Sequence, residues 1–314
     1  MARAIVLVGH EDDEHSDHLE SLLRAQGVNC VRISARQLPG ADFYWDAGSR
    51  AFRLGAALVP RGAGALWRRP GAPTAASYAP MHQRFVHSES SDAFAGVLDA
   101  IGLSWLSSPH SVLRAERKPY QLGMAVRLGL PIPKTIITNS SADAVAFADA
   151  LEEVVVKPIR YGLVSTDPPM VSWAQVMTSA ALRSLAGPPV IIQQRIRAAE
   201  HLRVVAVGSS CFISTLQTDD LDWRVDIGNH QRFQPSDDHG DVRRWALAMN
   251  RSLNIGLSAQ DWMVDGNGNP FFLEANPSGQ WLFLDRAHDG RISMAIAERL
   301  RELGEAIPTR STGE

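Results

Sequence analysis

Residues 259–281 read AQDWMVDGNGNPFFLEANPSGQW, two β-rich runs around the turn-forming Asp265-Gly-Asn-Gly-Asn269. A two-residue type I′ turn at Asn267-Gly268 is the favoured short solution for such a hairpin, because its twist matches that of the flanking strands. That turn sets a register in which Gly266 faces Asn269, Val264 faces Phe271 and Asp261 faces Glu274. Side chains alternate between the two faces of a strand. Asp261, Met263, Phe272, Glu274 and Asn276 are therefore expected on one face. Trp262, Val264, Phe271, Leu273 and Ala275 form the other, which is apolar throughout. Two carboxylates opposed across strands repel one another. A solvated sheet face could carry such a pair, but Met263 and Phe272 on the same face speak against it. The pair calls for a compensating cation. Three oxygen ligands on one rigid face suit magnesium, which binds through a few carboxylates plus substrate phosphates.

Outward from this hairpin, the chain reads as a mixed α/β (α+β) protein. RAIVLVG (3–9) is a buried strand, Asp17 with Glu20 resembles a capping box for a helix through Ala25, and VNCVRIS follows as a second strand. DFYWDAGSRAFRLG (42–55) reads as a hairpin, GALWRRPGAP (64–73) as a strand ending in a turn, 82–101 as a helix and LSWLSSP as a returning strand. The pattern restarts near Pro109. Pro119 suits the first position of a helix that Gly129 and Pro131 stop. A strand (134–138), a helix (142–152), the strand EVVVKPI and the β-rich runs PPVIIQQRI and HLRVVAVGSSCFISTLQ come next. Helices over 240–254 and 291–304 flank the hairpin. The expected division is 1–108, 109–187 and 188–308, with a disordered tail at 309–314.

Composition excludes several classes. The 314 residues carry 31 basic and 34 acidic side chains, a net charge of −3, so no basic field argues for nucleic acid. Cys30 and Cys211 are too few for a disulfide framework or a zinc site. No apolar run approaches the roughly 18 residues of a membrane helix. The start turns acidic after a short β-rich run and does not read as a signal peptide, so a reducing cytoplasmic compartment is expected. In HEDDEHSDH (10–18), His10 and His15 are spaced wrongly for HExxH, and an acidic loop entering a helix N-terminus explains the segment better. Only three basic residues are lysines, Lys118, Lys134 and Lys157, which makes each a candidate.

The run FLEANP, after a helix and an aspartate-bearing strand, resembles the ATP-grasp superfamily. Its extension N276-P-S-G-Q-W281, with W67-R-R-P70, W105-L-S-S-P109 and D222-W-R224, resembles the branch of microviridin-type peptide maturases, the graspetide synthetases. The resemblance covers the chain from the first strand to about residue 300. It implies an ATP-grasp fold, with an N-terminal α/β domain and two α+β lobes clamping ATP. It implies phosphate contacts from Lys118 and Lys157, both followed by prolines, and an adenine-reading strand at 191–196 with Gln194 and Ile196 at its centre. His201 stands where related ligases carry an acidic ribose contact, and Met263 and Phe272 complete the implied nucleotide set. Asp261, Glu274 and Asn276 match the ligands of two magnesium ions, in agreement with the register. Arg203 and Arg224 match catalytic basic positions, while Asp222, Arg224 and Ser278 match substrate contacts. One departure stands out: after Lys157, IRYGLVST has a single glycine where a glycine-rich phosphate loop is usual, and Arg160 is a candidate contributor there. That segment is expected to close only on binding.

The implied activity is ATP-dependent activation of Asp or Glu side chains of a ribosomal precursor peptide with an acidic core. Capture of an acyl phosphate by a hydroxyl or amine then closes an ester or amide macrocycle. A homodimer without nucleic-acid or membrane partners is expected. Two alternatives stay open: a ligase of free amino acids or of glutamate onto a protein tail, and an ATP-binding regulatory module without turnover. The intact set Lys118, Lys157, Asp261, Glu274 and Asn276 argues against the module.

Overall fold

The run Ile5–Val8 is buried at every position and its side chains enter two separate cores. Such a strand belongs in a parallel sheet covered on both faces. A computed structural model describes residues 4–151, 153–160, 163–166, 169–171 and 173–305. The tail expected after Pro308 lies outside these residues, as does Gly162, the glycine following Lys157. The chain opens with β1 (Ile5–Val8), α1 (Glu14–Ala25) and β2 (Cys30–Ile33). A meander of β3 (Phe43–Trp45), β4 (Phe52–Leu54) and β5 (Ala57–Val59) follows, then β6 (Gly64–Trp67), α2 (Pro80–Ala100) and β7 (Ser104–Trp105). β2, β1, β6 and β7 form a parallel four-stranded sheet in that order. α1 begins before the expected capping box. Its N-cap is Asp13, whose carboxylate accepts from the Ser16 N–H at 3.0 Å. Asp17 pairs instead with Arg32.

α3 (Pro109–Ala115) and α4 (Lys118–Arg127) lead to β8 (Thr135–Thr138), α5 (Ser141–Asp149) and β9 (Val154–Lys157). The hairpin β10 (Leu163–Thr166) and β11 (Pro169–Val171) precedes β12 (Gln175–Met177), α6 (Ser179–Leu182) and β13 (Val190–Gln194). A central sheet runs β12-β9-β13-β8, antiparallel throughout. It therefore reaches Gln194, beyond the boundary expected at residue 187. The cause is packing: Ile192 of β13 closes the core formed by Ala144, Ala148, Val154 and Leu182.

The remaining elements are β14 (Ala198–Val207), β15 (Ser210–Leu216), β16 (Gln234–Ser236), α7 (Gly240–Leu253), β17 (Leu257–Asp265), β18 (Pro270–Asn276), α8 (Leu282–Asp285) and α9 (Arg291–Glu305). Their sheet runs β16-β15-β14-β17-β18. α7 places Val242, Ala246, Met249 and Leu253 at helical spacing against Leu202, Val204, Trp262 and Phe272. On the opposite face, Val205, Val207, Leu257 and Ala259 share one core with Ile5 and Leu7 of β1 and Ile292, Ile296 and Leu300 of α9. Each such aliphatic side chain contributes about 1.5–3 kcal/mol. The approach of α9 to β6 is so close that a Cβ on Gly64 would lie 2.0 Å from the Leu300 carbonyl oxygen. α9 thus joins the N-terminal sheet to the face of the C-terminal sheet that carries Arg203 and Asp261. Among the described residues, no helix is long and apolar enough to cross a membrane.

Candidate active site

Strand pairing sets Arg203 beside Asp261 across β14 and β17, and Asp261 beside Glu274 across β17 and β18. The three charges form a row across the sheet. The Asp261–Glu274 pair has the expected register, but the hairpin reaches it by another route. The turn spans Asp265 to Gly268, with Gly268 N–H donating to the Asp265 carbonyl at 3.0 Å and Gly268 at φ 83°. This longer loop opposes Val264 to Pro270, Met263 to Phe271 and Trp262 to Phe272. A bulge at Leu273 then restores Asp261 to Glu274. Phe272 is consequently not on the carboxylate face. It is fully buried against Trp262, ring centroids 5.2 Å apart. Phe271 takes its place, in a second row of His201, Met263 and Phe271. An apolar–imidazole row beside a charged row is a floor that a base and a polyphosphate could share.

Lys118 comes to this row through Gln121. The Gln121 side chain donates to the Ala275 carbonyl at 2.7 Å and accepts from the Ala275 N–H at 2.8 Å. It thereby replaces a missing neighbour strand along β18. Positions three apart on a helix share a face, so Lys118 reaches Glu274, Nζ to Oε2 3.2 Å. A cation on the first residue of a helix opposes the macrodipole, and the Glu274 carboxylate offsets this. Lys157 ends β9 and donates to Gln193 Oε1 at 2.8 Å, while Gln193 donates to Thr135 Oγ1 at 2.8 Å. Burial, with Lys118 and Arg224 nearby, pushes the Lys157 ammonium down to about 8, against the pull of Glu274. Burial would raise the Glu274 carboxyl, but Lys118, Arg224 and Lys157 hold it at about 2. Asp261 is raised by burial and by Glu274, against Arg203 and Arg224. Glu274 is therefore the more firmly ionised of the two.

Arg203 is buried, donates to Asp261 Oδ1 at 2.8 Å and to the Gln280 carbonyl at 3.1 Å, and lies over Trp223. Arg224 grips Asp222 with both prongs, 2.8 and 2.7 Å, and reaches Glu274 Oε1 at 3.3 Å. Burial lowers the Arg224 pKa, but Asp222, Asp261 and Glu274 outweigh it and raise it. Both Asp222 oxygens are thus engaged by Arg224, which Asp222 orients. Trp173, from the segment before β12, stands 6.0 Å from the Arg224 guanidinium. His201 is buried, and that burial lowers its pKa against the pull of Asp222 and Asp220. Gln194 holds Lys134, its N–H donating to the Lys134 carbonyl at 2.8 Å, and Ile196 lies half-buried between β13 and β14. Asn276 Oδ1 accepts from the Ser278 N–H at 3.0 Å, and Ser278 is itself buried in the loop. Arg160 lines a cavity of about 200 Å³ with Leu113, Glu116, Arg117 and Ile159. Gln121, Gln193 and Trp173 were not legible as neighbours of the site, because each meets a partner remote in the chain.

No protein-family model matches the chain, and no curated protein matches it in sequence. Solved structures do. A Chryseobacterium gregarium RiPP-associated ATP-grasp ligase, in complex with ADP and a leader and core peptide, matches with a TM-score of 0.87 at 21% identity, over 98% of each chain. The ATP-grasp fold is present here. The macrocyclase MdnC from Microcystis aeruginosa MRC, bound with precursor peptide MdnA, gives a TM-score of 0.83 at 22% identity, over 95% of this chain and 98% of that one. The ATP-grasp ligase PsnB, complexed with minimal precursor, Mg and ADP, gives 0.78 at 18%, over 96% and 98%.

The site's own chemistry fits a magnesium–nucleotide pair. Asp261, Glu274 and Asn276 supply hard oxygen donors on adjacent strands. Lys118, Lys157, Arg203 and Arg224 outnumber the carboxylates of Asp222, Asp261 and Glu274. Lys157 is depressed first by burial and then by Lys118 and Arg224, and a polyphosphate would supply it with a counter-charge.

Proposed function

We propose that this protein is an ATP-dependent ligase that activates Asp or Glu side chains of a ribosomal precursor peptide and closes ester or amide macrocycles. The observation that carries the reading is the Asp261–Glu274 pair ringed by Lys118, Lys157, Arg203 and Arg224. The full-length likeness to peptide-bound ligases supports it. Lys118 and Lys157 bind phosphate oxygens, His201, Met263, Gln194 and Ile196 contact the nucleoside, and Asp261, Glu274 and Asn276 hold two magnesium ions. Bound magnesium neutralises charge on the transferring phosphoryl group. A substrate carboxylate, drawn in by Arg224, attacks the γ-phosphorus; the bond to the bridging oxygen breaks and ADP leaves. A Ser or Thr hydroxyl or a Lys amine then attacks the acyl carbon, phosphate departs, and the nucleophile's proton passes to solvent. The protein's part is positioning and electrostatics. The division into an N-terminal domain and two lobes, a cytoplasmic location and a homodimeric state belong to the same reading.

The test is incubation with ATP, magnesium and a short Thr- and Asp/Glu-rich peptide encoded beside the gene. The expected result is ADP release and loss of one water per ring by mass spectrometry. ATP turnover with free amino acids but not with the peptide would favour the amino-acid ligase. Binding without turnover would favour a regulatory module.

A further inference from the structure

Arg68, directly after β6, is 1% exposed. Burying a guanidinium is costly unless its donors are met. Its Nε donates to Asp13 Oδ2 at 3.0 Å and its Nη1 donates to the carbonyls of Ser278 (2.8 Å) and Gly279 (3.0 Å), while its buried Nη2 has no hydrogen-bond partner among the described residues. The guanidinium also lies over the Trp281 ring, 4.6 Å from its centroid. Asp13 is fixed in turn by the N–H and hydroxyl of Ser16. The next residue, Arg69, has φ 46°, a conformation that persists in non-glycine residues only where the surroundings over-determine it. Those surroundings are the Arg68 N–H donating to Val8 and the His10 N–H donating to the Arg69 carbonyl. The end of β6 is built to hold one guanidinium at one place.

That place is the loop after Asn276. The Ser278 N–H orients the Asn276 side-chain oxygen at 3.0 Å, and the Gly279 N–H donates to the Asn276 carbonyl at 3.1 Å. From the other side, Arg203 holds the Gln280 carbonyl. A Cβ on Gly279 would lie 2.5 Å from Ala259 Cβ and 3.0 Å from Arg203 Nη2, so the loop has no slack towards the sheet. Two buried arginines, one beside the N-terminal sheet and one on the C-terminal sheet, hold successive carbonyls of the same loop.

We infer that Arg68 is a positioning residue of the metal–nucleotide site: by fixing the Ser278 and Gly279 peptides it holds the Asn276 oxygen in place for a magnesium–nucleoside triphosphate. This rests on the proposed ATP-dependent function. Arg68 touches neither metal nor substrate and acts through Ser278 on Asn276. Partners that orient a metal ligand are worth about 10–100-fold in metal affinity.

The experiment titrates MgCl₂ into full-length protein with ATP and follows binding by calorimetry, well below the melting temperature. Arg68→Lys keeps the charge but not the fork. It is expected to raise the magnesium half-saturation about 10-fold or more, with the affinity for metal-free ATP at the wild-type value. Asp13→Asn retains the helix cap and weakens the grip on Nε, so a smaller rise in the same direction is expected. A purely structural Arg68 would lower the melting temperature without separating the two affinities, and that result overturns the inference. If Arg68→Lys does not fold, an unchanged magnesium half-saturation in Asp13→Asn overturns it equally. A wild-type protein that binds no magnesium–ATP sinks the proposed function and this inference together. Wild-type binding with unaltered variants sinks the inference alone.

Discussion

Lys118 Nζ stands 3.2 Å from Glu274 Oε2, on a helix whose Gln121 clasps the backbone of the next residue, Ala275. The ion pair and the clasp are one device. The amide sets the height of α4 along β18, and that height decides whether the lysine meets the carboxylate.

Gln121→Leu is therefore expected to act on stability and on the site together. It leaves the Ala275 N–H and a share of its carbonyl without a partner inside the fold, and each group so stranded costs about 1–3 kcal/mol. Urea denaturation measures the first effect. The second appears as weaker ATP binding, since Lys118 loses its register with Glu274. A variant with full stability and full ATP affinity would show that the clasp is incidental.

Glu274→Gln removes the charge that Lys118, Lys157 and Arg224 share, while leaving the shape of the side chain. Outer partners of a metal ligand are worth about 10–100-fold, so if Glu274 is the ligand proposed above its loss is expected to cost at least about 100-fold in turnover. Circular dichroism should be unchanged. Near-normal ATP turnover at saturating magnesium would remove Glu274 from the ligand set. Asp261→Asn is expected to behave similarly but more mildly, because Arg203 already shares its charge.

The carboxylate pair was legible because opposition across a hairpin depends only on strand alternation and the position of the turn. It was legible partly by compensation. The three-residue loop around Gly268 shifts the pairing by one, and the bulge at Leu273 shifts it back. At Asp261 and Glu274 the two shifts cancel; at Phe271 and Phe272 they do not, which exchanged the two phenylalanines. Asp17 and Glu20 fit the local capping pattern, whereas the burial and pairing that favour Asp13 come from Arg68, remote in the chain. The placement of β13 turned on Ile192 finding a core in the central sheet, which no local pattern encodes. The resemblance read from the sequence marked Arg203 and Arg224, whereas their grips on Gln280 and Asp222 needed the fold.

The depressed Lys157 yields a pH dependence of definite sign. Its ammonium titrates at about 8 in the folded chain against 10.5 in the unfolded one. Between these values the unfolded state holds a proton that the folded state has released, so stability rises with pH across this window, by up to about 3 kcal/mol. A bound polyphosphate favours the charged lysine and reverses the preference. ATP affinity is accordingly expected to fall as pH rises through about 8. Calorimetry from neutral to alkaline pH, with Lys157→Met as the control that flattens the profile, checks this. An unchanged slope in the variant would assign the pH dependence to another group.

Arg224 is the residue on which the acidic-substrate reading turns. Its fork is already closed on Asp222, and only Nη1 extends to Glu274. Asp222 therefore aims the guanidinium, and an incoming carboxylate meets the edge next to Glu274. Arg224→Ala is expected to weaken modification of an acidic peptide by about 2–5 kcal/mol in kcat/KM, the cost of breaking a shielded charge pair. ATP affinity should change much less, because Lys118 still holds Glu274 in place. Arg224→Lys should fail as well, since an ammonium cannot span both Asp222 oxygens and reach Glu274. Asp222→Asn should show the same defect in weaker form, the fork being loosened rather than removed. Calorimetry reads the nucleotide half, and mass spectrometry of dehydrated peptide reads the other. If ATP affinity collapses while peptide is still cyclised at saturating ATP, Arg224 is a nucleotide ligand. If neither changes, the Asp222–Arg224 fork only closes the 3₁₀ turn at Trp223, and the site must draw its carboxylate in by another cation.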